Sequence, residues 1–148
     1  MLTNNLNDKY ILNCLISEGW YIGRKVDVSH YDSVLRKEGY VITKYAYDIL
    51  AEWGGLYIRS FANEKYCAAD INFDPIYYAS GEIDRLEEFE ERANEELYPI
   101  GGVQSYILYV GKSGKIYMGI MDVFYFVGND IEEFICNMFK KIYEPEEL

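Results

Sequence analysis

Apolar residues in the first third of the chain recur at intervals of three and four, the spacing of amphipathic helices. Leu6, Tyr10 and Cys14, for example, fall on one face of such a helix. Glycines that can end a helix stand after each periodic stretch. The pattern predicts three helices: 6–18, ended by Gly19; 31–37, capped by Ser29 and ended by Gly39; and 43–53, ended by Gly54 and Gly55.

From residue 56 onward, short apolar runs alternate with Gly, Pro, Asn and Asp, which is typical of strands joined by turns. Strands are predicted at 56–61, 69–73, 105–110, 115–121 and 123–127, with weaker extended pieces at 76–78 and 98–102. The turn formers at 111–114 predict a hairpin, and Pro75 is expected to block the strand before it. A last helix is predicted from Asp130 to about Tyr143, with Ile142 on its inward face.

The order of these elements predicts the fold class. Helices come first, then strands, one further helix, a hairpin meander and a final helix, which indicates an α+β fold with a largely antiparallel sheet flanked by helices. The chain of 148 residues shows no internal repeat and no linker. We therefore predict a single domain over 1–148.

The run 82–96 carries eight acidic residues against two arginines, a net charge of −6 within the formal −11 of the chain. Its apolar residues predict a helix with one buried face: Ile83, Leu86, Phe89, Ala93 and Leu97. Five carboxylates then fall on the opposite, exposed face: Asp84, Glu87, Glu88, Glu91 and Glu95. Like charges three and four residues apart destabilise a helix by about a few tenths of a kcal/mol per pair. Two interpretations remain open, a surface for a basic partner and a solvated face that serves only solubility.

The overall charge limits the classes of partner. Nucleic acid and anionic membrane surfaces would repel a chain of charge −11, whereas a basic protein would attract it. The N-terminus lacks the basic and apolar regions of a signal peptide, and the longest apolar stretch, 123–127, is too short to span a bilayer. Cys14, Cys67 and Cys136 form an odd, scattered set that indicates reduced cysteines. These features predict a cytoplasmic protein that binds neither nucleic acid nor membrane.

No motif in the chain predicts catalysis. His30 is the only histidine and stands at a predicted helix start, where a surface or capping role is expected rather than that of a general base. Gly111-Lys112-Ser113 resembles the end of a phosphate-binding loop, but Tyr106 occupies the place of that motif's first glycine. Carboxylates are abundant, yet nothing fixes two of them on opposing walls of a cleft. We therefore predict a protein that is not an enzyme and has no cofactor or metal, and a small acidic hydrolase is the least favoured alternative.

Several short motifs follow one another along the chain: Glu18-Gly19-Trp20, Gly23-Arg24-Lys25-Val26-Asp27, Ile49-Leu50-Ala51-Glu52-Trp53-Gly54-Gly55-Leu56, Tyr98-Pro99-Ile100-Gly101, and the hairpin 111–115 followed by Ile116-Tyr117. This ordered series resembles the SUKH superfamily, and the similarity extends over nearly the whole chain. It is closest to the subgroup with a Gly-Trp, Gly-Arg and Phe-Gly-Gly-Leu series, although Trp53 stands where phenylalanine is usual.

The resemblance implies an α+β fold with one mixed sheet flanked by helices, in which Gly19, Trp20, Gly54 and Gly55 are fold determinants. It also implies an immunity protein of a bacterial polymorphic toxin system, which binds a cognate toxin domain, often a nuclease, in the cytoplasm. Because nuclease domains are often basic, we hypothesise that the five exposed carboxylates of the acidic run bind the toxin. The alternative is a non-catalytic regulatory or scaffolding protein of the same superfamily that binds a cellular protein.

Overall fold

The computed structural model of this protein describes residues 6–59, 65–66 and 70–148. The helices in these ranges are α1 (Lys9–Ser17), α2 (Ser29–Arg36), α3 (Lys44–Trp53), α4 (Pro75–Ala79), α5 (Leu86–Ala93) and α6 (Ile131–Phe139), with a 3₁₀ turn at Ile83–Arg85. The strands are β1 (Tyr57–Ile58), β2 (Ile71–Asn72), β3 (Leu97–Val103), β4 (Tyr106–Gly111), β5 (Ile116–Ile120), β6 (Val123–Gly128) and β7 (Glu146–Glu147). Helices together with one antiparallel sheet confirm the predicted α+β class.

The described strands lie in the sheet in the same order as in the chain, from β1 to β7, and each neighbouring pair is antiparallel. The predicted hairpin at 111–114 is confirmed, and the Gly111 N–H donates to the Lys115 carbonyl across 2.8 Å. Successive turns of a meander lie at alternate ends of the sheet. The β3–β4 turn and the β5–β6 turn therefore meet at the end opposite this hairpin.

Side chains along β4 alternate between two apolar clusters, one on each face of the sheet. Leu108 and Val110 belong to the larger cluster, which α1, α3 and α6 cover. Ile107 and Tyr109 belong to a smaller, largely aromatic cluster that includes Phe89 of α5. Helices thus cover both faces, and α5 is the helix over the smaller cluster.

Capping residues explain where several helices begin and end. Thr43 Oγ1 accepts a hydrogen bond from the first turn of α3 across 3.3 Å, and Asp130 Oδ1 does the same for α6 across 2.7 Å. Gly19 follows α1 with a φ of 107°, which a side chain would disfavour. Ser29 differs from the prediction, because it is the first residue of α2 and its N–H donates to the Asp27 carboxylate.

Residues 76–78, predicted as extended, form α4 instead. Pro75 is the first residue of this helix, where its fixed φ suits the helix and its missing N–H costs nothing. Asp74 caps the helix, and its Oδ1 accepts the Tyr77 N–H across 3.2 Å. The proline therefore starts a helix in addition to ending the preceding strand.

The acidic helix is shorter than predicted. It begins after the 3₁₀ turn and ends at Asn94, which adopts the left-handed conformation with a φ of 57°. Leu97, expected on the buried helical face, is the first residue of β3, and Glu95 lies in the connection between the two elements. Residues 98–102, predicted as a weak extended piece, are the fully buried middle of β3.

The C-terminal end also departs from the prediction. Helix α6 ends at Phe139, and Ile142, predicted to face inward, is 85% exposed. Strand β7 pairs with β6 although no hydrophobic pattern predicted it. The predicted strands 56–61 and 69–73 contain β1 and β2, but residues 60, 61 and 69 lie outside the described ranges, as does Cys67. Of the helices described, none has both the length and the hydropathy needed to cross a membrane.

Candidate partner-binding surface

Helix α5 is fixed to the sheet by one aromatic side chain and one arginine. Phe89 is fully buried and stacks on Phe124, with ring centroids 4.7 Å apart. Gly119 leaves room for this ring, since a Cβ there would lie 2.7 Å from it. Arg92 Nη1 donates to the Asp122 carbonyl across 2.7 Å. These contacts give the outer face of the helix a defined position.

Four of the five predicted partner-binding carboxylates are exposed at this outer face: Asp84 on the 3₁₀ turn, and Glu87, Glu88 and Glu91 on α5. We call these four residues the acidic surface. Within the described ranges, none of the four side chains makes an ion pair or a hydrogen bond. The neighbouring Arg85 is paired with Glu82, at 3.5 Å, rather than with the acidic surface. The negative charge of the surface is therefore open to solvent and to a partner.

Glu95 does not lie on the exposed helix face, and that part of the prediction is wrong. Its carboxylate accepts hydrogen bonds from Ser113 N at 2.7 Å, Ser113 Oγ at 2.9 Å and the Tyr117 hydroxyl at 2.5 Å. A Cβ at Gly111 would lie 2.3 Å from the Glu95 carboxyl carbon, so only glycine leaves room for this arrangement. Burial and, after it, the bond to Glu95 raise the pKa of Tyr117. Glu95 thus joins the α5–β3 connection to the β4–β5 hairpin.

A groove of about 610 Å³ adjoins the acidic surface, and we call it the turn groove. Helix α4, the 3₁₀ turn, the β3–β4 turn and the β5–β6 turn form its walls. Two large side chains in its lining are strongly exposed, Tyr77 at 74% and Met121 at 65%. Glu82 and Arg85 also line it, so the 3₁₀ turn that carries Asp84 is shared by the groove and the acidic surface.

A second groove, of about 380 Å³, lies beside the Gly-Trp and Gly-Arg motifs. Trp20 Nε1 donates to the Glu52 carboxylate across 3.0 Å, and the Trp20 ring stacks on Trp53 with centroids 5.9 Å apart. Arg24 donates to the backbone carbonyls of Glu52 and Gly54, at 2.6 and 2.9 Å. These carbonyls end α3 and have no partner within the helix. The motif residues therefore hold the segment after α1 against the end of α3.

Among the described residues, those with nucleophilic or metal-binding chemistry are dispersed. His30 is exposed, and its ring lies 6.3 Å from that of Tyr31. Cys14 and Cys136 are free thiols, and burial raises the pKa of both, which disfavours the reactive thiolate. Across residues 6–59, 65–66 and 70–148, no group of His, Cys, Asp and Glu is arranged to hold a metal ion.

The fold, with helices on both faces of an antiparallel sheet, is of the α+β class that the SUKH resemblance implies. The sequence model of the SUKH-3 immunity protein family matches residues 7–141 of the 148. The chain belongs to this family. The match extends over α1 to α6 and includes the acidic surface and both grooves. No curated protein and no solved structure matches the chain.

Proposed function

We propose that this member of the SUKH-3 immunity protein family binds a cognate bacterial toxin domain and neutralises it by covering the toxin's active surface. It acts by binding alone, in the cytoplasm of the cell that produces the toxin. Family membership supports the immunity role. The observation that carries the rest is the acidic surface, whose four exposed carboxylates have no ion-pair partner among the described residues. Such a surface favours a basic partner, for which a nuclease domain is our candidate.

The acidic surface suits a basic partner for an electrostatic reason. Glu91 lies four residues after Glu87 and three after Glu88 on one helix, so repulsion within these two pairs costs about a few tenths of a kcal/mol each in the free protein. A cationic partner converts that repulsion into attraction. Nucleases hold phosphate groups with lysine and arginine, and carboxylates on a fixed helix can occupy the same positive groove. Attraction that acts over a Debye length of about 8–10 Å also raises the association rate.

A matched pair of charge variants tests the acidic surface. One variant, which we call the α5 charge variant or α5 variant, replaces Glu87, Glu88 and Glu91 with Gln. The control replaces Glu144, Glu146 and Glu147 with Gln, which are exposed carboxylates near the C-terminus. Each variant removes three negative charges, so an effect of net charge alone would be equal in both.

The immunity role predicts a toxin domain encoded by the neighbouring gene, and that domain, inactivated in its active site, is the binding partner in this assay. At low salt we expect the association rate of the α5 variant to fall about tenfold and that of the control to change much less. The difference between them should shrink as salt screens the charges. Equal rates for the two variants would contradict the role of the acidic surface and leave the immunity role standing. Failure of the unmodified protein to bind the toxin domain would contradict the immunity role itself.

The alternative function, regulation or scaffolding through a cellular protein, makes a different prediction in the cell. An immunity protein restores growth when it is expressed together with its toxin, and the α5 variant should restore growth less well than the control variant. A regulatory protein would give no protection. The neighbouring gene separates the two functions at once, because a toxin-bearing protein encoded next to this chain favours immunity.

A further inference from the structure

The turn groove has two walls whose backbone is held in an unfavourable conformation. Gln104, in the β3–β4 turn, has a φ of 55°, and Met121, in the β5–β6 turn, has a φ of 52°. Residues other than glycine rarely adopt this left-handed backbone region, whereas glycine occupies it without strain. Both residues line the same groove. Each is the first residue of a two-residue hairpin turn, a position that requires φ > 0 and usually carries glycine or asparagine, so the unusual feature is the larger side chain placed there.

Met121 is 65% exposed, although glycine would adopt the left-handed backbone conformation of this residue more easily. Neither burial nor backbone preference therefore accounts for a large apolar side chain at this position. Tyr77, on the facing wall, is 74% exposed. Exposed tyrosine and methionine on a concave surface are the residue types that supply binding energy at protein interfaces.

Contacts of Tyr78 hold helix α4 against strand β3 and the β3–β4 turn along the groove. The Tyr78 hydroxyl donates to the Gln104 carbonyl across 3.2 Å. The Tyr78 ring lies directly against the backbone of β3, since a Cβ at Gly102 would be 2.2 Å from it. These contacts fix the ring before any partner arrives. A preformed wall loses little conformational freedom on binding.

We propose that the turn groove receives an apolar or aromatic side chain from a basic segment of the toxin domain, and this inference rests on the proposed function. Charge complementarity determines the partner's chemistry. Glu82 in the groove lining is already paired with Arg85, whereas Asp84 on the same 3₁₀ turn is unpaired and leads into the acidic surface. A segment that places one apolar anchor in the groove brings its flanking lysines or arginines beside these carboxylates. The acidic surface then accelerates association, and the groove slows dissociation.

Two substitutions test the groove without the ambiguity of misfolding. Met121→Gly removes the anchor-binding side chain and relieves the backbone, so the variant should be at least as stable as the unmodified protein. Tyr77→Ala removes an exposed ring from the facing wall. The matched controls are Asn94→Gly, which relieves a φ of 57° outside the groove, and Tyr21→Ala, which removes a tyrosine that is 57% exposed elsewhere.

The probe is the same inactivated toxin domain that the proposed function predicts in the neighbouring gene, and its binding is measured by surface plasmon resonance. We expect Met121→Gly and Tyr77→Ala each to weaken the Kd by about tenfold to hundredfold, mainly through faster dissociation, with an unchanged salt dependence. Both controls should bind like the unmodified protein. If both groove variants dissociate at the normal rate while the α5 charge variant associates slowly, the binding role of the turn groove is contradicted and the proposed function is left intact. If the unmodified protein does not bind the probe, the proposed function and this inference both fail.

Discussion

Glu95 provides a test of whether the acidic run serves one purpose or two. We expect Glu95→Ala to destabilise the fold, whereas Glu88→Ala on the exposed face of α5 should not. The structural reason is that Glu95 accepts three hydrogen bonds from the β4–β5 hairpin, whereas Glu88 is exposed and accepts none among the described residues. The two substitutions remove the same charge from the same run.

The magnitude follows from what each donor does after the substitution. Ser113 is exposed, so water replaces the carboxylate for its N–H and hydroxyl at little cost. Tyr117 is only 3% exposed, and its hydroxyl would lose a charge-assisted partner at 2.5 Å. Leaving a buried hydroxyl without a partner costs about 1–3 kcal/mol. We therefore expect Glu95→Ala to lower the free energy of unfolding by about 2 kcal/mol, and Glu88→Ala to change it by no more than about 0.5 kcal/mol.

Chemical denaturation of four proteins measures the interaction directly: the unmodified chain, Glu95→Ala, Tyr117→Phe and the double variant. Once the hydroxyl is absent, Glu95→Ala should cost less, by a coupling free energy of about 1–2 kcal/mol. In thermal unfolding, the Tm of Glu95→Ala should be lower by about 4–8 °C for a chain of this size. A coupling energy near zero, or equal stabilities for Glu95→Ala and Glu88→Ala, would refute the structural role of Glu95.

Two further predictions concern stability. Burial is the main cause that raises the pKa of Tyr40, Tyr98 and Tyr109, to about 12 for Tyr98. The unfolded chain loses these protons at about pH 10, whereas the folded chain keeps them. The stabilisation should therefore be fully present below about pH 10, and the free energy of unfolding should fall by about 4 kcal/mol by about pH 11. The part of the tyrosinate absorbance that comes from these buried tyrosines should appear only together with the loss of the circular dichroism signal, and ionisation of all tyrosines near pH 10 with an intact fold would contradict this reasoning. Gly54→Ala should lower the free energy of unfolding by about 3 kcal/mol, because a Cβ at this position would lie 2.4 Å from the Leu50 carbonyl oxygen. Gly81 has a φ of 79° but open space around it, so Gly81→Ala should lower the free energy of unfolding by only about 1 kcal/mol. Equal losses in denaturant titrations of these two variants would show that the close contact at Gly54 is not what requires glycine.

The elements that the sequence predicted well are those in which local signals agree. Helix α3 has apolar periodicity, Thr43 as its cap and a Gly-Gly pair after its end, and it was predicted to within one residue. The β4–β5 hairpin combines alternating strands with turn formers at 111–114, and the structure confirms it. Neither element depends on distant parts of the chain for its type.

The errors arise where tertiary contacts outweigh the local pattern. Residues 98–102 contain Pro99, Gly101 and Gly102, which are poor strand formers, yet they form the centre of β3. The glycines are needed there because a Cβ at Gly101 would lie 2.2 Å from the Asn72 carbonyl oxygen of the neighbouring strand. Helix α4 was missed for a different reason. Its signal, an aspartate before a proline at the first helical position, is present in the sequence but was interpreted as a strand end.

The candidate site shows the same division. Composition and periodicity alone located the carboxylates of the acidic surface, because exposure on a helix follows from residue spacing. The turn groove was not predictable in this way, since Tyr77 and Met121 are far apart in the sequence and line one groove only because of how helix α4 and the β5–β6 turn are placed in the fold. The left-handed backbone of Gln104 and Met121 also leaves no mark in the sequence, where glycine or asparagine would have been expected.

Of the five carboxylates predicted on the exposed face of the acidic run, Glu95 alone lies elsewhere, and it shares its structural role with Glu90, which was not in that set. Glu90 accepts the Leu97 N–H across 2.9 Å, and Glu95 accepts bonds from the hairpin, so both carboxylates stabilise the connection from α5 into β3. Their neighbours Glu87, Glu88 and Glu91 have no such contact in the described ranges. A hydrogen bond keeps a carboxylate where the fold needs it, whereas unpaired carboxylates on a fixed helix add repulsion that the fold does not need. Because of that difference, we assign partner binding to the unpaired residues. Substitutions at the hydrogen-bonded carboxylates should therefore lower the free energy of unfolding, whereas substitutions at the unpaired carboxylates should lower the association rate.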